Sequence, residues 1–201
     1  LLADNQKGKA EKVIKDLLDI SVLNAGTIEL NRTRFNFANL IYQVEESLAS
    51  YASEKNIKLT FSASDSELFV NADYERLAQA LINLLLVGIR FSSPDNDINI
   101  FMKNSGRELV VEIHNVGCDF EHNKIHQIVN NSEWIKKQFN SGGEDVALGF
   151  RIAKELIEMH GGRIWTERKQ KDQGCILYFT INILSEMNHE KFEKMTAANV
   201  C

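Results

Sequence analysis

Val13, Ile14, Leu17, Leu18 and Val22 recur at helical spacing among Lys, Asp and Glu, which predicts an amphipathic helix ending near Gly26. So narrow an apolar stripe needs a partner helix to cover it. An extended link, "IELNRTRFN", leads into a second predicted helix with Phe37, Leu40, Ile41, Val44, Leu48 and Tyr51 on its inner face. "NIKLTFSAS" and "ELFVNAD" then alternate apolar and polar residues and are joined by the turn-forming "SDSE", which predicts a pair of strands. Asp73 is a ready N-cap for a helix running to about Phe91, with Leu77, Leu81, Leu84, Leu85 and Gly88 facing inward. The sole proline, Pro94, stands just past its end.

"DINIFMKNSGRELVVEIHNVG" is two alternating strands around Asn104, Ser105 and Gly106, and predicts a hairpin. Residues 118–146 are polar and irregular, with a short helical piece around Ile125 to Val129. "ALGFRIAKELIEMHGG" returns to the helical period and stops at Gly161. "RIWTER" and "CILYFTINIL" make a final strand pair, and the tail after Leu184 is polar. No segment repeats another. The order of elements predicts an α+β fold, a mixed sheet with helices on one face.

Composition narrows the functional classes. The chain has 201 residues, 44% hydrophobic and 25% charged, which suits one globular domain with an appendage. A net charge of -5, with its basic residues dispersed, argues against nucleic acid as a partner. No apolar run approaches the roughly 20 residues that cross a bilayer, and "LLADNQKGKA" lacks the apolar core of a secretion signal. Cys118, Cys175 and Cys201 are too scattered for a disulfide framework or a metal knuckle, so a reducing cytoplasm is the expected setting.

Three stretches, in order and at suitable spacing, resemble the ATP-binding domain of sensor histidine kinases, in the superfamily shared with gyrase and MutL. "RLAQALINLLLVGIRFSS" is similar to the family's Asn-rich helix, whose usual form is N-L-L-x-N-A-x-K-F/Y-S. "LVVEIHNVGCDF" resembles the D-x-G-x-G-I turn that holds adenine, and the segment from "VALGFRIAK" through "MHGGRI" resembles G-T-G-L-G-L-A-I-V-K through H-G-G-x-I. "DLLDISVLNAGTIEL" looks like the end of the second dimerisation helix. The resemblance implies a sandwich of the histidine kinase ATPase type. It divides the chain into residues 1–26 for part of the dimerisation helix, 27–34 for a linker, 35–184 for the ATPase-like domain and 185–201 for a tail.

Carried over position by position, the resemblance implies a nucleotide pocket formed by Asn83, Val87, Arg90, Phe91, Asn115, Gly117, Asp119, Leu148 and Gly149. Several of these are substituted. Asn83 matches the first Asn of the family helix, but Val87 stands where the second, a magnesium ligand, is usual, and a hydrocarbon cannot coordinate a hard cation. Arg90 replaces the customary Lys near the phosphates and Phe91 keeps the aromatic beside adenine. Asn115 replaces the Asp that accepts from the adenine amino group; Gly117 is kept, and Asp119 replaces the next glycine. Matching on "LGF" keeps Leu148 and Gly149 and puts Asp145, Val146 and Ala147 in place of the lid's G-T-G, with "NSGG" at residues 140–143 as an offset alternative.

Two like charges about 5 Å apart repel by roughly 3 kcal/mol at an effective dielectric of about 20, so Glu144, Asp145 and Asp119 would oppose a triphosphate. The expectation is a pseudokinase that binds MgATP poorly, holds no cofactor or metal of its own, and acts as a regulatory or interaction module. ATP with magnesium enters only under the alternative, a divergent working kinase domain; a third reading gives the pocket to another ligand or partner. The partners implied are a response regulator or a partner kinase, and a second copy of the chain through the dimerisation helix. His160, in the H-G-G stretch, is expected to cap its helix. The first histidine in the chain is His114, so the family's phosphorylated His, with its acidic neighbour, does not occur on the helix before Gly26.

Overall fold

The computed structural model describes residues 29–65, 67–92, 94–115, 144–168 and 175–183. The helix expected before Gly26, the stretch 116–143 with its short helical piece, and the tail after Leu184 lie outside the described residues.

Strand β1 (Thr33–Asn36) opens the fold and runs straight into helix α1 (Phe37–Ser53). The helix starts there because the Asn36 side chain accepts a hydrogen bond from the Ala38 N–H at 2.9 Å. It ends where Asn56 takes a left-handed φ of 56°, which lets the Ile57 N–H turn back to the Ala52 carbonyl at 3.0 Å. Phe37, Leu40, Ile41, Val44, Leu48 and Ala52 are buried, whereas Tyr51, expected on the same face, is exposed. Four residues beyond Leu48 the stripe continues through Ala52, and Tyr51 falls just off it.

Strands β2 (Leu59–Ala63) and β3 (Phe69–Ala72) form where alternation places them, but they do not pair with each other. β3 pairs antiparallel with β1, and β2 pairs in parallel with β4 (Ile98–Ser105). Part of the expected link is therefore a strand. Its position is held by packing: Phe35 meets the Tyr74 ring edge-on at 4.9 Å, and the Arg34 guanidinium lies 4.4 Å from the centre of Phe69. Alternation says which side of a strand is buried but not which strand lies beside it.

Helix α2 (Tyr74–Phe91) follows β3 and carries Leu77, Leu81, Leu84 and Leu85 into the core. The Asp73 carboxylate caps its first turn by accepting from the Arg76 N–H at 3.1 Å. At the other end the Lys55 ammonium donates to the carbonyls of Ile89 and Arg90, both at 3.2 Å, where the helix dipole favours a cation.

The predicted hairpin of β4 and β5 (Glu108–Asn115) turns at Gly106, and β5 pairs with β7 (Cys175–Asn182), which pairs with β6 (Ile164–Arg168). The five-stranded order is β2-β4-β5-β7-β6, parallel only at β2-β4. Register stacks Met102, Val111, Phe179 and Ile164 across four strands, and Ile100, Ile113 and Leu177 across three. These residues share one core with the inner faces of α1, α2 and α3 (Glu144–Met159), so the helices cover one face as expected. On the outer face Phe101 lies 4.7 Å from His114, and Trp165 stacks on Tyr178 at 5.1 Å.

The turn after α3 locks that helix to the sheet. The Gly162 N–H donates to the Ile157 carbonyl and the Gly161 N–H to that of Glu158, a Schellman turn in which Gly161 has φ 76°. A Cβ on Gly162 would fall 2.0 Å from the Thr180 carbonyl oxygen, so the turn sits directly against β7.

Two alanine substitutions should separate conformational cost from collision. Gly161→Ala should lower unfolding stability by about 1 kcal/mol, the cost of a left-handed non-glycine residue. Gly162→Ala should cost more, about 2–3 kcal/mol, because β7 has to move. Urea denaturation of both variants measures this, and equal losses would contradict the close approach.

Candidate functional site

α2 and α3 pack face to face, and residues singled out on each meet at that contact. Asn83 and Val87 lie one turn apart on the same side of α2, 6% and 5% exposed. Leu148 and Phe150 on α3 are buried, and between them Gly149 faces the Asn83 side chain, whose amide Oδ1 lies 3.4 Å from where a Cβ would stand. Asn83 and Gly149 thus meet at the helix contact, with Val87 and Leu148 buried in the common core. Arg90, in the last turn of α2, is exposed; Phe91 is its last residue.

Asn115 ends β5, with its backbone opposite Ile98 and Cys175. The other two expected pocket residues, Gly117 and Asp119, lie outside the described residues. Glu144, Asp145, Val146 and Ala147 form the first turn of α3, which starts three residues before the helix expected from sequence. On the "LGF" match the positions of the family's lid glycines are already helical here, and the offset alternative at residues 140–143 lies outside the described residues.

The chemistry available at the contact is that of one amide. Among the described residues the buried Asn83 Nδ2 has no hydrogen-bond partner, and a buried unpaired donor is costly, so it can serve an acceptor such as a phosphate oxygen or a water. A magnesium ion needs oxygen ligands, and of Asn83 and Val87 only Asn83 carries one. The described residues fit a nucleotide's phosphate better than its bridging cation.

The frame behind this contact rests on His160, which is 3% exposed. Its Nδ1 donates to the Leu156 carbonyl at 2.7 Å and its Nε2 accepts from the Asp73 N–H at 3.1 Å. The neutral Nδ1–H tautomer is the one that can do both. His160 therefore does cap its helix, as expected, and it also ties the end of α3 to the N-cap of α2. Asp73 further accepts from the Asn31 N–H at 3.0 Å, and Arg32 donates to the carbonyls of Asn71 and Met159, both at 3.2 Å. The sequence makes both caps legible; that they touch, 87 residues apart, it does not.

The sequence profile of the family described as "Histidine kinase-, DNA gyrase B-, and HSP90-like ATPase" matches residues 72–185. An uncharacterized sensor-like histidine kinase of Rhizobium meliloti is 28% identical over 169 residues, 84% of this chain and 32% of that protein. The adaptive-response sensory kinase SasA of Synechococcus elongatus is 24% identical over 182 residues, 90% of this chain and 46% of that protein. The chain thus spans 32% to 46% of the length of these relatives. Among solved structures, the nucleotide-free catalytic domain of histidine kinase ThkA matches with a TM-score of 0.64 and 28% identity, covering 77% of this chain and 96% of that one. ThkA in complex with response regulator protein TrrA matches with a TM-score of 0.67 and 27% identity, covering 91% and 50%. Among the described residues no helix is long and apolar enough to cross a membrane.

Burial holds the His160 imidazole below its ordinary pKa of 6.5, helped by Arg32 and opposed by the Leu156 carbonyl and the Asp73 carboxylate. The unfolded chain therefore takes up this proton first. The stability that neutral His160 supplies is complete above about pH 6.5 and is lost as pH falls toward the lower folded value. Chemical denaturation between pH 7.5 and 5 should show this slope in the native chain and a flatter one in His160→Gln; equal slopes would contradict the assignment.

Proposed function

The chain belongs to the histidine kinase-, DNA gyrase B- and HSP90-like ATPase family, and from that premise we propose that its histidine kinase-like domain is a pseudokinase, a regulatory module with impaired MgATP binding. One observation carries the reading: Val87, buried a single turn from Asn83, stands where the family helix has its second Asn. A magnesium ion brought there loses a ligand and meets a branched hydrocarbon that cannot replace its water. The helical first turn at Glu144 and Asp145, in place of lid glycines, supports the same reading. The partner proposed is a response regulator, supported by the ThkA neighbour that was solved in complex with TrrA. Pairing of two copies through residues 1–26 belongs to the same proposal.

A second reading, a divergent but active kinase domain that phosphorylates a histidine on another helix, is favoured by the unpartnered Asn83 Nδ2. That donor is what a surviving phosphate contact would use.

Thermal unfolding with millimolar ATP, with and without magnesium, separates the two. Ligand at about 100 times its dissociation constant stabilises by about 2.7 kcal/mol, or about 5–10 °C for a chain this size. The native chain should shift by far less than this, and Val87→Asn should gain a magnesium-dependent shift. A full shift in the native chain with magnesium would overturn the pseudokinase reading in favour of the working kinase.

A further inference from the structure

β2 is an edge strand, and among the described residues no strand lies on its outward side. Its bonds to β4 run from the Ile98 N–H to the Lys58 carbonyl and from the Ser64 N–H to the Met102 carbonyl, both at 2.9 Å. In a parallel pair every second residue turns both backbone groups to the same neighbour, so Lys58, Thr60, Ser62 and Ser64 serve β4. The N–H and C=O groups of Leu59, Phe61 and Ala63 consequently point away from the sheet, and among the described residues no strand pairs with them. Edge strands are commonly defended by charge, proline or a bulge. β2, "LTFSA", has none of these, whereas the opposite edge strand β6, "IWTER", carries Glu167 and Arg168.

A groove of about 600 Å³ lies where α1, residues 56–58 and Leu59 at the start of β2 meet. Its walls include Tyr42, Ala49, Ile57 and Leu59, with Glu45 and Glu46 along the α1 side. Tyr42, 55% exposed, packs edge-on against Phe61 at 4.8 Å and so carries the apolar surface from the strand onto the helix. The lining is acidic on balance: it holds two carboxylates, Glu45 and Glu46, against one cation, Lys58, and burial raises the Glu45 carboxyl above its ordinary pKa. An apolar floor, an acidic wall and a row of outward amides together define a complementary ligand. It is extended, it adds to the edge by main-chain hydrogen bonds, and it sets Lys or Arg at alternate positions against the glutamates.

We propose that the open edge of β2 and the groove beside α1 form a docking site for an extended basic segment of a partner protein, which adds to the sheet as a sixth strand. The site lies outside the Asn83 contact, so the proposal stands or falls independently of nucleotide binding.

The test uses the full chain and a fluorescein-labelled hexapeptide of alternating Lys and Val, with alternating Glu and Val as the control. Fluorescence anisotropy reads binding, and amide hydrogen exchange reads its location. The expected result is saturable binding of the Lys peptide only, with the amides of Leu59, Phe61 and Ala63 exchanging freely before its addition and protected after it. Ala63→Pro removes one outward N–H without touching the bonds to β4, and should weaken binding about tenfold. The double substitution Glu45→Gln and Glu46→Gln should weaken it similarly and reduce its salt dependence. Protection of the three amides before any peptide is added would mean that another part of this chain, or a second copy, fills the edge, and would overturn the proposal. Binding equal for both peptides, or unchanged by both variants, would overturn it too.

Discussion

The contact between His160 and the Asp73 backbone N–H is the constraint on which the rest of the arrangement depends. It joins the last turn of one helix to the first residue before another, with both partners buried. A buried histidine is tolerable only when each ring nitrogen has a partner, and here Leu156 and Asp73 supply them. The next two residues are as constrained: Gly161 takes the left-handed turn and Gly162 lies against Thr180 of β7. Helix α3 is thereby fixed to α2 at one end and to the sheet just after it. The buried contact between Asn83 and Gly149 lies farther along the same pair of helices.

On the proposed reading, that frame is what would let a nucleotide site lose its cation ligand while its architecture persists. The substituted position, Val87, contributes to the core, and an aliphatic side chain there adds apolar burial. Nothing in the His160 clasp or the glycine turn requires a ligand at Asn83. The two sides of the domain have also diverged in character. Among the described residues the helix contact holds one buried amide nitrogen without a partner, Asn83 Nδ2, whereas the outward side of β2 has no strand paired to it.

Much of the fold was legible because its signals are local. The caps at Asp73 and Gly161, the stripe of leucines on α2 and the turn at Gly106 each depend on a few neighbouring residues. What local pattern could not supply was pairing. β2 and β3 look like a hairpin in sequence, yet one finds β4 and the other finds β1, because Phe35 and Arg34 pack on Tyr74 and Phe69. Tyr51 was misplaced for a related reason, since a stripe fixes its own course only to within one position and Ala52 fits the core better. In the candidate site the family pattern singles out both Asn83 and Gly149, and their contact follows from the packing of α2 on α3. The link between His160 and Asp73 was not, because it joins residues 87 positions apart through a backbone N–H that any residue there would offer.

The central claim is that the fold has kept its helix frame and lost its cation ligand, so magnesium should be irrelevant to whatever nucleotide affinity survives. Calorimetric titration of ATP into the native chain, once with excess magnesium and once with a chelator, measures that directly. Weak binding of equal strength in the two titrations, or none in either, is the expected result. Affinity about tenfold or more tighter with magnesium, worth about 1.4 kcal/mol, would show that the cation is still held and would contradict the claim.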